Sequence, residues 1–405
     1  MNDSRSLWTN RDYMLLWAGQ VVSTLGSTAT SIVYPLLILS LTDSPAAAGF
    51  AAAIRALPYL MFSLPVGALI DRWDRKRAMI LCDIGRALAV LSVPVALWFD
   101  VLTVWQLYGV AFVEGTLFVF FNIAEVAALP KVVTIADLPR SAAQNEAAFA
   151  AASIAGPSIG TFLYQTLGRG APFLADAISY VVSVVALLAI KTDFRVADPP
   201  PPLPLRTAIA EGLRWLWDNP LIRSMAFLTG GLNFVGAAAP LILIVIAKEM
   251  GARDFDIGLV FSIGGLGGIA GALVGGRIQR RFTFGEVITW VLWAEAALFP
   301  LYLLAPQFLW LGVIFALMYT LGPIYNVVQF SYRLSLIPDA LQGRVNSAFR
   351  LLAFGLTPVG AALAGVLLQY VGTTATIVTF ALWYLGLAVL TTANRHVRDA
   401  PRARG

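Results

Sequence analysis

Twelve apolar runs, each near the roughly 20 residues a helix needs to cross the hydrocarbon core of a bilayer, recur along almost the whole chain. They centre near Val33, Tyr59, Leu88, Phe118, Ser153 and Val182, then near Gly236, Gly267, Ala296, Met318, Val359 and Leu382. Strand-like alternation is absent. Of 405 residues 59% are hydrophobic and 13% charged, whereas soluble domains carry about 25% charged residues. The expected class is therefore all-α integral membrane, twelve transmembrane helices in two six-helix bundles related by pseudo-symmetry. The run from Tyr13 to Leu41 lacks the short apolar segment and small-residue cleavage site of a leader and reads as the first span.

The net charge of +5 would suit a nucleic-acid partner only if the basic residues clustered on one surface, and they do not. With the N-terminus placed in the cytoplasm, 23 of the 28 Lys and Arg fall in alternate, cytoplasmic segments; external loops hold Arg169, Lys248 and Arg253, and Arg55 and Arg86 lie deeper. The expectation is a multi-pass protein of the inner cell membrane with both termini cytoplasmic, the bilayer as partner, no nucleic acid, and a monomer. Cys82 is the single cysteine, so no intrachain disulfide is available.

Residues 1–190 are expected to form the first bundle, 191–222 a cytoplasmic linker, 223–394 the second bundle and 395–405 a basic tail. The linker carries Pro199 to Pro202 and Pro204, then a helix-like stretch around Glu211 to Trp217. An internal repeat supports equivalent halves. Gly67-Ala-Leu-Ile matches Gly271-Ala-Leu-Val, and Leu138-Pro139, Asn145 and Pro157 match Ile337-Pro338, Asn346 and Pro358. Parallel six-helix repeats place a substrate path between halves in secondary transporters.

A charge at a helix centre costs about 2.5–3.5 kcal/mol on insertion scales, so ionisable residues within spans mark functional positions. Glu114 and Glu125 stand about 20° apart around one helix and roughly 16 Å along it, on one face. Arg55 and Glu114 lie at similar depth in their spans, which allows a buried pair. That pair is the leading proton-coupling candidate, with a structural ion pair as the open alternative. Glu295, with no local partner, is a further candidate. Asp83 and Arg86, three apart, can satisfy each other along their own helix, and Asp176 reads as structural. His396 belongs to the tail, and no metal-ligand cluster, Ser/His/Asp set or ATP-binding segment is evident; the glycine run Gly264 to Gly276 lies inside an apolar span and reads as close helix packing.

The segment Gly67-Ala-Leu-Ile-Asp71-Arg72-Trp-Asp74-Arg75-Lys76-Arg77 joins spans two and three, and Gly156-Pro157-Ser-Ile-Gly160 lies within span five. The first resembles motif A of the major facilitator superfamily, and the second a degenerate motif C with Ala152 where an upstream glycine is expected. Leu16-Trp17-Ala-Gly19-Gln20, Asp176-Ala-Ile-Ser179 and Gly343-Arg344-Val-Asn346-Ser347 extend a likeness to the branch of macrolide efflux proteins and the enterobactin exporter, drug:proton antiporter family three. The resemblance implies a gating role for Gly67, Asp71, Arg72 and Arg75, with Glu125 receiving the loop charges. It implies a helix kink at Gly156, Pro157 and Gly160, associated with antiport or with packing alone. Spans one, four, seven and ten then surround the cavity, which raises Gln20, Tyr34, Asn122, Asn233 and Tyr325 as lining candidates. The basic residue of motif B is not evident; Glu114-Gly115 stands in its neighbourhood.

The function so implied is secondary active export of an amphipathic small molecule, a drug-like compound, macrolide or siderophore, by alternating access in exchange for protons. No cofactor is expected beyond the proton gradient, and the chain is not expected to be an enzyme. An importer or facilitator of the same fold, or a transporter-like sensor that moves no substrate, remain the alternatives.

Overall fold

A backbone inside hydrocarbon must satisfy its own N–H and C=O groups, and helices do so within one segment. In the computed structural model, which describes residues 7–70, 72–134, 137–195, 205–338, 341–398 and 400, twelve helices are long and apolar enough to cross a membrane. A 3₁₀ turn at Leu7–Thr9 precedes α1 (Arg11–Thr42), α2 (Pro45–Ile70), α3 (Arg75–Trp98), α4 (Val104–Val132), α5 (Leu138–Leu167) and α6 (Ala171–Ala189). The linker contributes α7 (Leu205–Asp218), and residues 196–204, with most of its prolines, lie outside the described residues. Then follow α8 (Pro220–Glu249), α9 (Asp254–Arg281), α10 (Phe284–Leu298), α11 (Phe308–Leu336), α12 (Gln342–Gly355), α13 (Thr357–Tyr370), α14 (Gly372–Ala393) and α15 (Arg395–Arg398). Together α12 and α13 supply one span, divided at Leu356 just before Pro358, which has no N–H to continue the ladder. Its counterpart Pro157 sits inside an unbroken α5.

The chain divides into two compact units, Met1–Thr42 with Ile54–Pro202 and Asp43–Ala53 with Leu203–Gly405. The stretch 43–53 therefore groups apart from the rest of residues 1–190. In the second unit a Cβ at Gly49 would crowd the carbonyl of Ala361 and the backbone of Gly365, so small residues let α2 begin directly against α13. The linker is partly structured: α7 packs on α12, where Glu211 pairs with Arg344 and Gly212 lies against the Arg344 backbone. The tail is not wholly solvated either, since Val397 and Ala400 are buried in the same core, while His396 is exposed.

In the first unit α1 packs against α5 and α6, and α3 against α4 and α6. Gly156 and Gly160 provide the α1–α5 contact: a Cβ at either would overlap Thr28 or the carbonyl of Ala29. This places the Gly156-Pro157-Gly160 segment at a close helix crossing, and Thr28 Oγ1 lies 3.1 Å from the Ala152 carbonyl across it.

Candidate substrate cavity and buried ion-pair network

The loop before α3 ties helix ends together. Asp74 caps α3, accepting from the backbone N–H of Lys76 at 3.1 Å and of Arg77 at 3.2 Å. Arg75 Nη1 donates to the Ala127 carbonyl near the end of α4 at 2.8 Å, and Lys76 Nζ donates to the Ile190 carbonyl at the end of α6 at 2.6 Å. Both cations thus sit near helix C-termini, where the helix dipole is negative, and the Ile190 carbonyl, past the last turn of α6, has no intrahelical partner of its own. Asn10 Nδ2 satisfies the Val132 carbonyl at 2.6 Å, and Asp12 accepts from Thr192 Oγ1 at 2.6 Å. Asp71 lies outside the described residues. Arg72 is exposed, and a Cβ built at Gly67 meets nothing within 4 Å. Glu125, expected to receive the loop charges, has no ion-pair partner among the described residues; Arg75 uses the Ala127 carbonyl instead, and Glu125 lines a cavity.

Deeper in the unit, α4 meets α2 at a glycine. A Cβ at Gly115 would overlap the carbonyl oxygen of Arg55, so the helices approach backbone to backbone at the level of the preceding Glu114. There Arg55 Nη2 donates to Glu114 Oε1 at 2.8 Å. Arg86 on α3 joins from the other side, its Nη2 3.9 Å from the same oxygen and its Nη1 3.5 Å from Asp83 Oδ1. The guanidinium of Arg86 lies over the Tyr180 ring at 4.1 Å, and the Tyr180 hydroxyl shares a 2.9 Å hydrogen bond with Ser27 Oγ. Five helices, α1, α2, α3, α4 and α6, therefore meet in one charged network. Asp176 is separately satisfied, accepting from Thr30 Oγ1 at 2.7 Å.

Gly115→Ala is expected to force α4 away from Arg55. The overpacking should destabilise by about 1–3 kcal/mol, read as a lower melting temperature of the purified protein in detergent. An unchanged value would show that the helices have room to separate.

In front of the network lies a cavity of about 480 Å³, bounded by α1 to α5 within the first unit. Glu114 is 3% exposed and does not line it, whereas the Arg55 side chain is 35% exposed and does, together with Arg86. Arginine thus stands between the buried acid and the cavity.

Of the lining residues read from sequence, Gln20 and Asn122 face this cavity. Tyr34 does not: its hydroxyl donates to the Leu107 carbonyl and its ring packs edge-on to Phe173 at 5.7 Å. Asn233 and Tyr325 belong to the second unit and are engaged there, Asn233 donating to the Ala353 carbonyl at 2.8 Å and the Tyr325 hydroxyl sharing a 2.7 Å hydrogen bond with Thr229. Glu295, also in the second unit, is 7% exposed, and its Oε2 has no hydrogen-bond partner among the described residues. Sequence reasoning missed Tyr180 and Ser27 as members of the network; Gly115 directly after a buried acid was the available signal for the close crossing.

The matched family model, described as Major Facilitator Superfamily, spans residues 16–359, most of the chain. The chain belongs to the major facilitator superfamily. This superfamily protein is 30% identical over 95% of its length to the multidrug efflux pump Tap of Mycolicibacterium fortuitum, covering 96% of that protein. It is 24% identical to the enterobactin exporter EntS of Shigella boydii serotype 18, over 89% of this chain and 86% of the exporter. Among solved structures it resembles the nucleoside transporter NupG, with a TM-score of 0.74 at 14% identity, over 95% of this chain and 99% of that one. A bacterial homologue of the iron transporter ferroportin gives 0.71 at 15% identity, over 95% and 100% of the two chains. At these identities the structural likeness is one of fold. The protein is a twelve-span, multi-pass membrane transporter of this superfamily.

Proposed function

We propose that this transporter exports an amphipathic small molecule by alternating access in exchange for protons, across the inner cell membrane and with both termini cytoplasmic. The observation that carries the reading is the Arg55–Glu114 pair, a buried acid whose cationic partner forms the wall of a cavity. A proton on Glu114 would cancel the attraction that holds Arg55 and so change the charge the cavity presents, which is the link an antiporter needs between proton and cargo. Similarity to a multidrug efflux pump and an enterobactin exporter supports the outward direction. For a neutral cargo, one proton moving down about 100 mV releases about 2.3 kcal/mol, enough for a gradient of roughly 40-fold. A cargo carrying one positive charge instead cancels that charge movement and is driven by the pH difference, about tenfold per pH unit. The reading needs no cofactor.

Inverted membrane vesicles energised by respiration and offered a panel of amphipathic compounds test it. Accumulation of panel members that collapses on adding a protonophore is the expected result. Accumulation only in right-side-out vesicles would replace the exporter with an importer.

A further inference from the structure

The charges lining the cavity are not equivalent. Arg55 is taken by Glu114, and Arg86 by Asp83 and Glu114, so each arginine is neutralised by an acid behind it. Glu125 on α4 and Glu146 on α5 also line the cavity, and neither has an ion-pair partner among the described residues. The lining and the acids directly behind it carry two positive and four negative groups, and the uncommitted members are both negative. Phe118, Phe121 and Phe149 supply apolar wall. Gln20 adds a polar feature: it lines the cavity, and its buried Nε2 donor has no hydrogen-bond partner among the described residues.

We infer that this cavity binds monocationic amphiphiles, an aromatic or aliphatic body carrying one positive charge and, for fullest complementarity, a hydrogen-bond acceptor for Gln20. The inference rests on the cavity being the substrate site of the proposed exporter. A cation there gains attraction to the half-buried Glu125, which water screens less than it would at an open surface, and to the more exposed Glu146. Arg86 already faces Phe118 and Phe121, and the Phe149 ring attracts a cation further. An anion of the same size meets two acids without counterions and two arginines already engaged. The same ledger explains an exchange. Glu114 is faced by Arg55 from α2, Arg86 from α3 and Tyr180 from α6, with Asp83 and Asp176 nearby. Protonating Glu114 leaves Arg55 unopposed at the cavity wall, where it repels the bound cation.

Tetraphenylphosphonium and tetraphenylborate, nearly identical in shape and opposite in charge, make the test. Their equilibrium binding to the full-length protein in lipid nanodiscs is measured for the native chain, Glu125→Gln and Glu146→Gln. The phosphonium is expected to bind at least about tenfold more tightly than the borate, and Glu125→Gln and Glu146→Gln each to weaken it severalfold while leaving borate binding level or stronger. Thermal unfolding of each variant verifies that it is folded. Equal affinities, a preference for the borate, or no binding of either probe would overturn the inference. Phosphonium binding without vesicle transport would instead sink the exporter reading and leave the charge selectivity standing.

Discussion

Glu114→Gln is expected to lower stability by about 3 kcal/mol and to abolish gradient-driven transport. Glutamine keeps the shape and removes the charge that faces Arg55 at 2.8 Å and Arg86 at 3.9 Å. Arg86 retains Asp83, but Arg55 is left without a carboxylate among the described residues. Breaking a buried pair from one side is costly because the surviving charge stays desolvated. Arg55 is 35% exposed along its side chain and so recovers some hydration in the cavity, which places the loss at the lower end of that class. The double variant Arg55→Met with Glu114→Gln removes both charges and should regain most of the melting temperature, yet remain inactive. Thermal unfolding of the two single variants and the double, in one detergent, provides the cycle. A double variant no more stable than Glu114→Gln would show that the pair is not what the single change breaks.

The second large effect is expected at Gly267→Leu, which should leave little folded protein in the membrane. Lipid gives helices no hydrophobic reason to associate, so close packing between small residues holds them together. Along α9 a Cβ at Gly264 would overlap the Phe315 ring, at Gly267 the Ala316 carbonyl and at Gly271 the Thr320 carbonyl of α11. Leucine at the middle of that seam meets backbone, which cannot rotate aside as a side chain can, and overpacking beyond about 1–3 kcal/mol follows. Gly276→Leu is the control on the same helix, because a Cβ there meets nothing within 4 Å. Fluorescence-detected size-exclusion of both variants should show loss of the monodisperse peak for Gly267→Leu alone; equal profiles would mean that the seam can open.

The twelve spans were legible because hydrocarbon thickness sets helix length, and each apolar run centres inside one of them. The glycine run in α9 was legible as packing for the same reason of scale, small residues repeating every three or four positions. Equal depth along two helices brought Arg55 and Glu114 to one level, but the close crossing that joins them depends on Gly115. Helix rotation was not legible. Spans such as α1 and α4 are apolar over most of their surface with little one-sided pattern, so periodicity does not say which face meets which neighbour. Tyr34 therefore turned out to be engaged with Leu107 and Phe173, while Glu125 faces the cavity rather than a loop cation. Pro157 and Pro358 are equivalent in the repeat, yet only the second divides its helix. Nor does composition signal that residues 43–53 group with the second unit; the contact of Gly49 with α13 depends on partners more than 300 residues away.

In the proposed antiport, a proton at Glu114 and a cation in the cavity are exchanged for one another. Proteoliposomes loaded at acidic pH, with the membrane potential clamped at zero and ethidium supplied outside as a fluorescent aromatic monocation, test it most directly. For one-for-one exchange the native protein should concentrate ethidium about tenfold per pH unit, and Glu114→Gln should concentrate none. Equal accumulation by the native protein and Glu114→Gln, or none by the native protein, would contradict the account.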